Sequence, residues 1–415
     1  MRKKILGLFA GSCLAAANAM AGGTPSNDCK LVKSWNDGKH FMVGKVNVTV
    51  LKGSYREMGK QYGALLKDKI QFMYDTAIEK PMIKSGVTTY EKLKKEMHEL
   101  GWKGLTRNQR EMFRGMAETS GIDIDKLVML DQSVTLTVLY LEKAFGLKGF
   151  GACSCLSTWG DYTTDGKTVV GRNFDWLNLF IRCSKAFGVI VLQPNDGNIE
   201  TAIVGYAGWL NALSGMNREG LFMETNSGLN SAGIKVYSNR SPYINEHLNM
   251  LLDSEDIEVL KRRLFSTRPH AGILVNIADE NIGYCFENDC NQTLMRKASK
   301  PGLLVTSNEF RLESWGLPVR ESGTHSVRRF DNLNALAQKY KGKINPQIMM
   351  KILDEPLHLG GGKFGNGATK PTLEPNDEDV TVHQIIAVPG KKELWLKVPG
   401  HVEWTYIDLK QFFSK

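Results

Sequence analysis

Seven cysteines in 415 residues are too few for a disulfide-stapled scaffold, and no pair has the Cys-x-x-Cys spacing of a zinc site. Beyond the first twenty-odd residues no apolar run approaches the roughly 18 residues a helix needs to cross a bilayer, so no membrane span is expected. Walker A, His-Glu-x-x-His and Gly-x-Ser-x-Gly sequences are missing, which removes P-loop, zincin and serine-elbow chemistry. Gly360, Gly362 and Gly365 do spell Gly-x-Gly-x-x-Gly, but no strand precedes them and Pro371 and Pro375 forbid the helix that should follow. They belong to a stretch from Gly360 to Asp377 rich in Gly, Pro, Asn and Asp, expected as an exposed loop. The eight histidines are scattered. His247, His325 and His383 could each serve as a base, yet none adjoins a recognisable nucleophile, and core or surface roles are expected for them. No cofactor and no metal is implied.

What is present is the composition of a globular protein, 42% hydrophobic and 23% charged. Arg2, Lys3 and Lys4, an apolar run from Ile5 to Ala17, and Ala19-Met20-Ala21 form a signal-peptide pattern, so a secreted or periplasmic protein is expected once residues 1–21 are removed. Cys13 is a poor lipoprotein match because Ala10 lies three before it. The net charge of +9 includes the three leader cations, and the tightest basic run, Lys261-Arg262-Arg263, has the helical spacing of a solvated face; nucleic-acid binding is not expected.

The chain changes character near residue 150. From Ser54 to Leu147 apolar residues recur at three and four (Met58, Tyr62, Leu65, Leu66; Met112, Met116; Leu127, Leu130), which predicts helices. From Ala152 onward short runs rich in Val, Ile and aromatics predict strands at 169–170, 188–192, 202–206, 221–223, 273–277, 303–306, 384–388 and 394–398. Helical periodicity returns over 244–264, 326–341 and 346–353. The expected class is α+β, with helices packed on sheets.

Chemistry concentrates between Gly151 and Trp176. Asp165-Gly166 between two extended stretches predicts a two-residue hairpin turn, which folds Arg172 and Asp175 back towards Cys153. If Cys153 becomes a chain terminus, its α-amine, with an ordinary pKa of about 7.7–8.0, can act as the base for its own thiol. An adjacent arginine favours the thiolate, and an aspartate can orient the amine. Residues 172 and 175 lie three apart, so both can face the sulfur only if the strand is bulged near Asn173.

The string Gly171-Arg172-Asn173-Phe174-Asp175-Trp176 after Cys153-Ser154-Cys155-Leu156 resembles the N-terminal-nucleophile amide hydrolases, in the isopenicillin N acyltransferase-like branch related to choloylglycine hydrolases, penicillin V acylases and acid ceramidase. Gly53 to Gly63, Glu111 to Asp131, Gly208-Trp209 and Gly215 to Leu221 are similar to further stretches of that branch, in the same order. The resemblance implies a four-layer αββα sandwich preceded by a mostly helical pro-segment: signal peptide 1–21, N-terminal segment 22–152, and catalytic core 153–415. It implies Cys153 rather than Cys155 as nucleophile, Arg172 and Asp175 beside it, Asn226 and Asn308 as oxyanion donors, and Arg329 as a second arginine with Arg328 as the alternative register. Thr306-Ser307-Asn308 departs from the family's Thr-Asn pair by one inserted residue.

The resemblance further implies autocatalytic cleavage before Cys153 and hydrolysis of a linear, small-molecule N-acyl amide through an acyl-enzyme. The cleaved N-terminal chain would remain as partner, and a homo-oligomer is compatible with it. Transfer of the acyl group to an amine uses the same chemistry, and a noncatalytic acyl-binding protein would use the same fold. Cys285 with Cys290, and Cys29 with Cys183, are candidate disulfides of an exported protein that spacing does not decide. Asn47, Asn239 and Asn291 open glycosylation sequons relevant only in a eukaryotic host.

Overall fold

Sixteen strands and a set of helices make up the computed structural model, which describes residues 28–141, 153–233, 236–238, 240–317, 325–357 and 381–414. The leader with Cys13, the peptide bond entering Cys153, the Asn239 sequon residue and the 360–377 stretch lie outside the described residues.

The strands are β1 Cys29–Trp35, β2 Gly38–Val43, β3 Val46–Gly53, β4 Ser154–Gly160, β5 Gly166–Asp175, β6 Phe187–Pro194, β7 Thr201–Tyr206, β8 Ser214–Asn217, β9 Phe222–Ser227, β10 Ile273–Ala278, β11 Gly283–Asn288, β12 Thr293–Arg296, β13 Leu303–Thr306, β14 Thr381–Val388, β15 Glu393–Val398 and β16 Val402–Asp408. They form a ten-stranded sheet in the order β1-β2-β3-β6-β7-β8-β9-β10-β11-β12 and a six-stranded sheet in the order β13-β4-β5-β14-β15-β16. Each of the eight runs read as strands overlaps one of these. All neighbours are antiparallel except β3 and β6, which run parallel from Asn47↔Gly188 to Gly53↔Pro194.

Residues 55–141 are mostly helical, including α1 Tyr55–Tyr74, α2 Tyr90–Leu100, α3 Arg107–Ser120, α4 Ile124–Asp131 and α5 Ser133–Leu136. A capping box starts α1: Glu57 N–H donates to Ser54 Oγ, and Ser54 N–H donates to the Glu57 carboxylate at 2.8 Å. Helices α1 and α3 touch backbone to backbone, since a Cβ on Gly59 would stand 2.1 Å from Met112 O. The N-terminal segment is therefore not helical throughout. Its first described residues form β1–β3, and β3 joins the large sheet, because Val46, Val48 and Val50 alternate with Asn47 and Thr49 at strand period.

Further on, α6 Tyr243–Asp253 and α7 Ile257–Ser266 divide the single helical span expected at 244–264. The break falls where Asp256 caps α7 by accepting from Val259 N–H at 2.7 Å. Helices α8 His325–Lys339 and α9 Pro346–Leu353 pack on one face of the small sheet, where Val169, Leu303, Ile386 and Val388 meet Leu333, Met349 and Ile352. On its other face Val170, Phe174, Ile385 and Leu394 share one apolar cluster with Val189, Val204 and Met223 of the large sheet.

Two local expectations are corrected. The β4–β5 connection is five residues, 161–165, closed by the Gly160↔Gly166 pair, because Tyr162 turns inward and is buried beside Leu336 and Ile344. Both glycines take positive φ, 56° and 75°. No disulfide joins Cys29 to Cys183 or Cys285 to Cys290, the two pairs that spacing left open.

Candidate active site

Cys153 immediately precedes β4, and the β4–β5 ladder pairs Ser154 with Asn173 and Cys155 with Arg172. This register brings Arg172 to the sulfur: its Nη2 lies 3.9 Å from Cys153 Sγ. The guanidinium is fully enclosed. Nη2 also donates to Thr225 O at 2.8 Å, Nη1 donates to Leu213 O at 3.0 Å and to Ser214 Oγ, and Nε stands 3.0 Å from Glu224 Oε2 in a close charge contact rather than an aligned hydrogen bond. Both members of that ion pair are 0% exposed. The cation is held rigidly, and its orientation leaves one edge toward the thiol.

Burial pushes the Cys153 thiol up from its ordinary range; Arg172 pulls against that, while the carboxylates of Asp175 and Glu224 add to it. Asp175 is thus within electrostatic reach of the sulfur, and its Oδ1 accepts from Thr381 Oγ1 at 2.7 Å. The irregularity anticipated near Asn173 falls across the ladder instead. Pairing of β5 with β14 jumps from Thr381↔Asp175 to His383↔Phe174, so Val382 is the extra residue and β5 itself stays in register with β4 up to Asn173.

The other arginine approaches from α8. Arg329 Nη1 donates to Cys153 O at 2.5 Å and to Ser154 Oγ at 2.9 Å, and Nη2 donates to Asn308 Oδ1 at 2.8 Å. Arg329 is buried and Arg328 is exposed, so the register places Arg329 inward. The two asparagines clasp each other's strands. Asn226 Nδ2 donates to Ser307 O at 3.1 Å and Asn308 Nδ2 donates to Ser227 O at 3.0 Å. The inserted Ser307 supplies the carbonyl that receives Asn226. Asn226 Oδ1 is buried and has no hydrogen-bond partner among the described residues. The structure thus brings Cys153, Arg172, Asp175, Asn226, Asn308 and Arg329 into one buried neighbourhood.

Three polar residues at this site carried no sequence expectation: Glu224, Ser214 and Thr381. Glu224 was discoverable, because a glutamate following the apolar Leu221-Phe222-Met223 run demands a buried partner. Burial raises its carboxyl, Arg172 opposes that, and Asn276 Nδ2 donates to Oε1. His247, His270 and His383 are poor bases here. Burial lowers His247 to about 3 and His270 to about 4, and burial with nearby Arg172 holds His383 well below the usual imidazole range. The His325 side chain lies outside the described residues. No group of three His, Cys, Asp or Glu side chains among the described residues could hold a metal, and no described helix is long and apolar enough to cross a membrane.

A small apolar pocket of about 30 Å³ opens on Cys153. Phe174, Leu213 and Tyr243 line it together with Val134, Thr135 and Val138 from the N-terminal segment. The arrangement offers a thiol beside a fixed cation, amide and guanidinium donors around it, and a greasy space in front of it.

No protein-family model matches the chain, and none of the curated proteins does. Among solved structures it is similar to a variant of conjugated bile acid hydrolase from Clostridium perfringens, with 15% identity, TM-score 0.46, and coverage of 63% of this chain and 95% of that one. It is also similar to the Caenorhabditis elegans ortholog of N-acylethanolamine-hydrolyzing acid amidase, with 12% identity, TM-score 0.42, and coverage of 62% and 100%. Penicillin V acylase from Agrobacterium tumefaciens matches with 12% identity, TM-score 0.42, and coverage of 62% and 87%.

Proposed function

We propose that this chain is an exported, self-processing cysteine amidohydrolase that cleaves linear N-acyl amides through an acyl-enzyme on Cys153. One observation carries the reading: a buried guanidinium 3.9 Å from the Cys153 sulfur, at the mouth of an apolar cavity, with a second guanidinium fastening the same residue's carbonyl. The ordered motif series supports membership of the choloylglycine hydrolase-like group and the four-layer αββα arrangement, and the shared core between the two sheets with α8 and α9 outside is in keeping with it.

In the intact chain the Cys153 nitrogen belongs to a peptide bond and cannot act as a base. Maturation begins when the thiol adds to the Ala152 carbonyl and the Ala152–Cys153 C–N bond breaks, moving the acyl group from nitrogen to sulfur. Water then hydrolyses the thioester, leaving a carboxylate on Ala152 and a free α-amine on Cys153. That amine takes the thiol proton as the sulfur attacks a substrate amide carbonyl, and returns it to the departing amine. Arg172 favours the thiolate, and Asp175, held by Thr381, orients the amine. Asn226 and Asn308 supply N–H donors to the developing oxyanion, each worth about 2.7–4 kcal/mol in such sites. Arg329 fixes the Cys153 carbonyl and Asn308 relative to each other. Water finally releases the acyl group as an acid.

The separated N-terminal chain stays attached on this reading, since β3 is laced along β6 and residues 134–138 wall the cavity. The test is to mix purified protein with an N-acyl amide carrying a chromogenic amine, quench within the first turnover, and locate the acyl group by peptide mass. Release of amine with the acyl group on Cys153 is expected. Acyl modification at another residue, or none despite amine release, contradicts the proposal.

A further inference from the structure

Two rows of polar side chains meet between the sheets. In the large sheet, ladder pairing sets Ser214 opposite Glu224, Glu224 opposite Asn276, Asn276 opposite Cys285 and Cys285 opposite Arg296, so one row runs straight across β8–β12 to the edge strand. Residues paired this way share a face. In the small sheet the same rule lines up Arg172, Cys155 and Thr306 across β5, β4 and β13. Between the rows the hydrogen bonds point one way. Arg296 Nη2 donates to Thr306 Oγ1 at 3.0 Å, Thr306 Oγ1 donates to Asn276 Oδ1 at 2.7 Å, and Asn276 Nδ2 donates to Glu224 Oε1, leaving Oε2 for Arg172. Both ends fix that direction, because a guanidinium cannot accept and an ionised carboxylate cannot donate. Arg296 is itself anchored: Nη1 donates to Val305 O at 3.1 Å and Nε to Glu287 Oε1 at 2.8 Å.

Glu224 needs such support, since burial favours its neutral form and the Asn276 amide opposes that. The charged and titratable groups within electrostatic reach of it are Arg172 on β5 and the thiols of Cys153, Cys155 on β4 and Cys285 on β11. Burial pushes the Cys155 thiol well up and the Cys285 thiol up to about 11, so neither adds a charge to the rows. Building on Cys153 as the nucleophile of the reading above, we propose that Asn276, Thr306 and Arg296 are positioning residues, a one-way run of donors that keeps Glu224 an ionised partner for Arg172 and so fixes the charge beside the reacting sulfur from the far edge of the sheet.

The test breaks the run at Thr306, whose hydroxyl is its middle link, and reads charge rather than turnover. Wild type, Thr306→Val and Thr306→Ser are compared at neutral pH by infrared difference spectroscopy and by the rate at which iodoacetamide modifies Cys153, located by peptide mass. Thr306→Val should show a protonated-carboxyl C=O band that disappears when Glu224→Gln is added. Its Cys153 should also be alkylated about threefold to tenfold faster below the thiol transition, because Glu224 no longer opposes the thiolate while Leu213 O, Ser214 Oγ and Thr225 O still hold Arg172. Thr306→Ser keeps the hydroxyl and should match wild type in both. Asn276→Leu breaks the next link and should reproduce Thr306→Val, which keeps the test decisive if the valine variant does not fold. Thr306→Val with no new band and an unchanged alkylation rate overturns the proposal, as does a band that survives Glu224→Gln or a Thr306→Ser that behaves like Thr306→Val. Failure here leaves amide hydrolysis standing, and a wild type that cleaves no N-acyl amide leaves this charge test intact.

Discussion

Asp131 in the N-terminal segment and Glu224 in β9 are both buried carboxylates, but neutral donors surround the first and a guanidinium holds the second. Asp131 Oδ1 accepts from Leu210 N–H at 2.7 Å and Asn211 Nδ2 at 2.9 Å, and Oδ2 accepts from Gln132 and Asn245 amides at 2.8 Å each. Burial raises its carboxyl and these donors oppose that. Three of the four come from beyond residue 153, so Asp131 is a clasp between the two parts of the chain. Glu224 instead balances Arg172, whose far side faces Cys153. A carboxylate answered by amides fastens structure; one answered by a cation beside a thiol keeps that cation in place for chemistry.

Breaking the charged pair should have the larger effect. Arg172→Gln strands Glu224 without its counter-ion and should lower unfolding free energy by about 3–5 kcal/mol, read by denaturant titration. It also removes the group that favours the thiolate, so the Cys153 proton is held more tightly and thiol alkylation moves to higher pH. Adding Glu224→Gln should return most of the stability but only part of the alkylation shift, since the Glu224 charge itself raises the thiol while the arginine that lowered it is still missing. If both recover in full, Arg172 serves packing alone.

Breaking the neutral clasp should be milder and chemically silent. Asp131→Asn replaces one acceptor oxygen by an NH₂ that must face existing donors, costing about 1–3 kcal/mol in the same titration. The pH dependence of Cys153 alkylation should not move, and a shift there would erase the distinction between the two sites.

Asp175→Asn sharpens the comparison with the smallest structural change. The Asp175 charge raises the Cys153 thiol, so its removal lowers the pH at which alkylation begins. Turnover should nevertheless fall by about 10²-fold, because the amine loses the group that orients it. A more reactive thiol in a slower enzyme is the signature. Parallel gains in alkylation and turnover would show that Asp175 merely opposes the thiolate.

Much of this geometry was legible along the chain because it is local. The strand containing Arg172 and Asp175 is ten residues long and turns back on Cys153, so a hairpin alone brings them together. Arg329 and Asn308 were legible only through the resemblance, since nothing local links α8 or the end of β13 to the thiol. Glu224, Ser214 and Thr381 escaped notice because their roles depend on which strands become neighbours: β9 faces β5 from the other sheet, and β14 reaches β5 from the far end of the sequence. The Thr225–His247 hydrogen bond escaped for the same reason, joining α6 to β9 only in three dimensions. The strands β1–β3 went unread because helical periodicity dominates the segment that follows them.

The central claim is that Cys153 supplies both sulfur and base once it heads its own chain. Intact mass with N-terminal sequencing of purified, active protein tests it directly, alongside Cys153→Ala. Wild type should consist of two associated chains, the second beginning at Cys153, and the variant of a single uncut chain. Fully active wild-type protein in which residue 153 is still bonded to Ala152 would contradict it.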